Sequence, residues 1–76
     1  MNGARPRSLE SITALLSHTL GDATARRVVW RHARALKLPE ELTQEEALRL
    51  LERIAKEDGI VGITARFAKT RIHLSG

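Results

Sequence analysis

The segment IVGITARFAKTRIHL, residues 60–74, decides between two architectures. Wound as a helix at 100° per residue, it puts Ile60, Ile63, Phe67 and Leu74 on one side, with Val61, Ala65, Ala68 and Ile72 nearby. The result is a broad apolar stripe interrupted by Thr64 and Arg71. Drawn as strands, Val61, Ile63, Ala65 and Phe67 alternate with polar or small residues, and Ile72 and Leu74 alternate again after a turn near Lys69. The connecting residues Ala68, Lys69 and Thr70 include none of the Gly, Asn or Asp that a tight hairpin wants, and two strands alone are unstable in water. A helix over about residues 60–73 is the favoured reading. It completes an all-α bundle; an α+β domain with a C-terminal β-hairpin is the alternative.

The residues before this segment predict helices. Thr43 and Glu46 have the spacing of a capping box, and Leu42 with Ala47 that of a hydrophobic staple. The helix that follows is expected over 43–58, burying Ala47, Leu50, Leu51 and Ile54, with Glu45–Arg49 and Glu52–Lys56 as i,i+4 pairs and Gly59 as its stop. A second helix over 22–37 would be capped by Asp22 and would gather Ala25, Val28, Val29, Ala33 and Leu36 on one side and Arg27, Arg31 and Arg34 on the other. Pro39 forces its end near Lys37. A first helix over 8–20 begins at the cap Ser8, carries Leu9, Ile12, Leu15, Leu16 and Leu20 as its stripe, and stops at Gly21. Residues 1–7 show no periodicity and are expected as a flexible tail to a single helical domain, 8–76. The centre of the core is expected at Ile12, Leu16, Val29, Leu36, Leu51, Ile54, Ile63 and Phe67.

Composition narrows the function. At 42% hydrophobic and 29% charged residues the chain is globular, but its 76 residues can bury only a modest core. The absence of cysteine removes disulfides and thiolate metal sites as reinforcement. No apolar run approaches the length of a membrane span and no hydrophobic leader opens the chain, so a cytoplasmic protein is expected. The net charge of +4 is unevenly spread: residues 1–37 hold seven Lys/Arg against two Asp/Glu, residues 38–58 three against seven, and residues 59–76 three against none.

No catalytic constellation stands out. His18, His32 and His73 lie in different segments without a paired acidic ligand, and neither metal nor other cofactor is expected. Gly59 and Gly62 match neither a dinucleotide fingerprint nor a phosphate loop and read as a helix stop followed by a packed turn. Glu45, Glu46, Glu52 and Glu57 read as a solvated helix face rather than as catalytic carboxylates. No Ser sits in a nucleophile elbow, so no enzyme and no small-molecule substrate are expected. His32 falls near the middle of the apolar stripe of the second helix, which makes it a candidate pH-sensitive core residue.

Two function classes remain. The first is a small protein–protein interaction or regulatory module, binding another protein or itself, with opposed charge blocks suited to complementary association. As a C2 homodimer it would set the acidic third helix of one copy against the basic second helix of the other. The second is a nucleic-acid-binding domain in which Arg27, Arg31 and Arg34, flanked by Arg26, Trp30 and Lys37, contact phosphates while Trp30 stacks. A basic amphipathic helix lying on an anionic membrane is a weaker reading, since the last segment has one bulky aromatic and modest charge; no membrane partner is expected.

Overall fold

The computed structural model describes residues 7–75, of which 73–75 are described by their backbone alone. Four helices form one bundle: α1 (Leu9–Leu20), α2 (Asp22–Leu36), α3 (Gln44–Ile54) and α4 (Gly59–Ser75). The last segment is thus a helix and not a hairpin, as its poor turn chemistry favours.

The starts and stops follow local chemistry. Ser8 caps α1 by accepting from the Ser11 N–H at 3.0 Å, and Ser11 Oγ accepts from the Ser8 N–H in return. Gly21, at φ 84°, is the whole joint between α1 and α2. This corrects the expected Asp22 cap: with one residue between the helices the cap position falls on Gly21, and Asp22 stands inside the first turn as its negative charge. Lys37 ends α2 in the left-handed region at φ 58°. Thr43 Oγ1 accepts from the Glu46 N–H at 3.1 Å, and Glu46 Oε1 accepts from the Thr43 N–H at 2.9 Å, so the capping box of α3 is complete.

Two boundaries differ from the sequence reading. Arg7 and Ser8 form a two-residue strand, β1, antiparallel to β2 (Glu41–Leu42), with Arg7 opposite Leu42 and Ser8 opposite Glu41. Arg7 therefore belongs to the fold rather than to the expected tail, whose residues 1–6 lie outside the described residues. Pairing this short is set by the return of the chain after Pro39 and has no periodicity of its own; the Leu9 N–H extends it by donating to the Glu40 carbonyl at 2.8 Å. The third helix ends at Ile54 rather than Asp58, because the Lys56 and Glu57 N–H groups turn to the carbonyls of Arg53 and Ile54 and tighten the last turn. Gly59, at φ 74°, then redirects the chain into α4.

The core joins all four helices. Ile12, Leu16, Val29, Leu42, Leu50, Leu51 and Ile54 are its largest fully buried side chains. Leu36 packs against it from a half-buried position. Helix α4 enters it with a face of small residues, Thr64, Ala65 and Ala68, together with Ile72 and part of Val61. The two buried threonines are satisfied locally: Thr13 donates to the Leu9 carbonyl at 2.7 Å and Thr64 to the Ile60 carbonyl at 2.6 Å. Among the described glycines Gly62 is the most closely approached, since a Cβ there would lie 2.0 Å from the Glu57 carbonyl oxygen and 3.0 Å from that of Ala55.

Candidate interaction surface

Helix α4 turns a different face inward from the one expected. Ile63 and Phe67, placed in the core by the sequence reading, are 47% and 69% exposed, and Ile60 is 56% exposed. The reason lies in side-chain size. The helix is apolar on most of its circumference, and the side with Ala65 and Ala68 packs against α1 and α3, where Phe67 would hold it away, while Gly62 fits against the backbone of the preceding turn at Ala55 and Glu57. Ile60, Ile63 and Phe67, spaced i, i+3 and i+7, are thereby left as a stripe facing solvent. Sequence reasoning merged two apolar faces into one; the signal that separates them is the clustering of small residues on one side.

Charges border this stripe. Arg66 and Arg71 are exposed, one on each side of it by helical position, and neither has an ion-pair partner among the described residues. Arg66 also stands at the lip of a shallow groove between α3 and α4 that Lys56, Lys69 and Thr70 share. Lys69 is engaged there: its ammonium meets Glu52 at 3.1 Å, tying α4 to α3. Glu52 thus takes a partner across the helix pair instead of the expected Lys56, while the expected Glu45–Arg49 pair forms at 3.9 Å.

The basic face of α2 is assembled only in part. Arg27, Trp30, Arg31 and Arg34, with Ala35, line one shallow depression. Arg26 lies apart from that depression, its guanidinium donating to both carboxylate oxygens of Glu10 at 3.1 and 3.2 Å and passing 5.2 Å from the centroid of the Trp30 ring. The contact holds the Glu10 carboxyl below its ordinary range and raises Arg26, in both cases chiefly through the hydrogen bond between them. Lys37 is outside the depression and serves as the left-handed cap of α2.

His32 does reach the interior, with a side chain only 12% exposed, and meets a partner that the sequence did not pair with it. Its Nε2 hydrogen-bonds to Glu57 Oε2, which also accepts from Arg31 at 2.8 Å. With Nε2 against a carboxylate, that nitrogen is the one carrying the proton. Nδ1 is buried and has no hydrogen-bond partner among the described residues. The hydrogen bond from His32 is the largest cause holding the Glu57 carboxyl below its ordinary range; burial opposes it and Arg31 adds to it. The tightened turn after Ile54 brings Glu57 back over α2, so this cluster pins the α3–α4 connection to the second helix.

Among the described residues no group of three or more His, Asp or Glu side chains is placed to hold a metal ion, and no helix is long and apolar enough to cross a membrane. No family model matches the chain, and neither the curated proteins nor the solved structures give a match on which an argument can rest.

Proposed function

We propose that the chain is a small, non-catalytic interaction module that docks on another protein through the outer face of α4. The observation that supports this reading is the stripe Ile60, Ile63 and Phe67: among the described residues fifteen apolar ones are buried, and the three large ones left exposed all lie on one face of one helix. Isolated exposed apolar side chains are ordinary, whereas a contiguous set at i, i+3 and i+7 is the spacing by which a helix presents anchors to a partner.

The test is photocrosslinking in the cells that make the protein, with a benzophenone amino acid at position 67 or 63 and, as control, at Glu45 on the exposed side of α3. Discrete polypeptide adducts from 67 and 63, with none from 45, support the reading. No polypeptide adduct from either stripe position overturns it.

Nucleic-acid binding through α2 is the second reading, favoured by the depression that brings Arg27, Trp30, Arg31 and Arg34 together. It ranks lower because Glu57 already neutralises Arg31 and because Arg26 occupies the neighbourhood of the Trp30 ring that stacking would use. Salt-sensitive quenching of Trp30 by single- or double-stranded DNA, lost on Arg27→Ala/Arg34→Ala, would promote it.

A further inference from the structure

We infer that the occupant of the α4 face is an acidic amphipathic helix: a single helical segment of another protein, whose apolar side chains cover Ile60, Ile63 and Phe67 while its carboxylates pair with Arg66 and Arg71. This deepens the proposed docking role and rests on it. Three observations fix the chemistry.

The first is charge. Residues 59–75 contain three Lys/Arg and no Asp or Glu, and the two arginines bordering the stripe have no acidic partner among the described residues. A segment lying along the stripe desolvates those guanidinium groups at its edges, and carboxylates on both sides of its apolar row compensate them by planar, two-point hydrogen bonds. Lys56, beside Arg66 at the groove, adds to the positive field on that edge.

The second is area. The three side chains offer roughly 300 to 400 Å² of apolar surface, all of it on one face of one helix. One helix laid along α4 matches the shape of this footprint, a single row at i, i+3 and i+7.

The third concerns the rival occupants. Two copies joined α4 to α4 would bring like charges together along the whole contact, with no anion on either helix to relieve them. An anionic lipid surface would also suit Arg66 and Arg71, but the stripe offers it a single bulky aromatic, Phe67, and α4 carries only three cations, one of them held by Glu52.

The experiment uses two fluorescent 18-residue helical peptides with the same leucine face, one flanked by glutamate and one by lysine, measured by anisotropy against the full chain. The glutamate peptide is expected to bind at least tenfold more tightly than the lysine peptide. Arg66→Glu/Arg71→Glu should reverse that order, and Phe67→Ser should weaken the glutamate peptide at least tenfold; all three positions are exposed, so the fold is left intact. Equal binding of the two peptides, or an order that survives charge reversal, overturns the acidic chemistry and leaves the docking role to stand on its crosslinks. Absence of binding by either peptide also overturns the inference, and the docking role falls with it only if neither position 67 nor position 63 gives a polypeptide adduct. Phe67-dependent binding to vesicles of phosphatidylglycerol and phosphatidylcholine, with both peptides inert, assigns the face to lipid instead. Sedimentation showing a dimer that Phe67→Ser dissolves assigns it to a second copy.

Discussion

Helices α3 and α4 are neighbours in the chain and pack against each other, yet they relate sequence to structure in opposite ways. In α3 the apolar positions Ala47, Leu50, Leu51 and Ile54 form one stripe, everything opposite them is charged, and the buried set is the expected set. In α4 apolar residues run round most of the helix; Ala65, Ala68 and Ile72 face the core, while Ile60, Ile63 and Phe67 face water. Hydrophobicity orients a helix when it is one-sided; when it is not, the distance of closest approach decides. Where small residues are grouped on the inner side, bulk on the opposite face is left exposed.

The most damaging change expected tests that closeness directly. Gly62→Ala adds a Cβ 2.0 Å from the Glu57 carbonyl oxygen, a backbone atom that cannot rotate away. The α3–α4 turn must shift, at a cost of about 4 kcal/mol or more, which approaches the whole stability of a small domain. Thermal unfolding followed by circular dichroism should show a melting temperature lowered by tens of degrees or no cooperative transition. A transition close to the parent's would mean that α4 is not held against the turn by close approach, and the account of its orientation would fail.

Leu51→Ala and Ile54→Ala come next, at roughly 2 to 5 kcal/mol each, because both side chains are fully enclosed and their removal leaves cavities. Urea denaturation measures the loss as a lowered midpoint. An unchanged midpoint for either would break the comparison from the α3 side, where sequence and structure agree.

Glu57 sits at the hinge between the two helices and gives the comparison a pH axis. Its carboxyl is held below the ordinary range in the folded state, mainly by His32, so the stability it contributes is present above the carboxylate range and lost as pH falls through its folded value. Urea midpoints measured from neutral pH down to about pH 3 should fall for the parent chain, and Glu57→Gln should flatten part of that fall. If the variant and the parent lose stability in parallel, the cluster of His32, Arg31 and Glu57 does not fasten the turn.

Legibility in the sequence follows the same division. Helix starts were readable wherever a side chain does the capping, as at Ser8 and Thr43, because the cap is a local hydrogen bond between residues three apart. Positions fixed by distant chain were not. The pairing of Arg7 with Leu42, the meeting of His32 with Glu57 and the tie between Lys69 and Glu52 join residues whose neighbourhood only the finished bundle creates. The basic face of α2 was legible as a row of arginines; that Glu57 would take Arg31 and that Arg26 would turn to Glu10 was not. The stripe on α4 was hidden for another reason: its residues had the composition of a core, and their exposure depends on Gly62, Ala65 and Ala68 occupying the inner side.

The smallest expected effect is the sharpest comparison. Phe67 is larger than Leu51, and on composition alone its loss should cost more. At 69% exposed, however, it leaves no cavity when shortened, so Phe67→Ser should change stability by no more than about 0.5 kcal/mol, against several for Leu51→Ala. The urea midpoint of Phe67→Ser should therefore coincide with the parent's. A drop of about 2 kcal/mol or more would place Phe67 back in the core and return the α4 stripe to ordinary packing. A coincident midpoint, set beside the losses at Leu51 and Gly62, would separate the two faces of α4 by experiment: the inner one holds the fold together, and the outer one is free to bind.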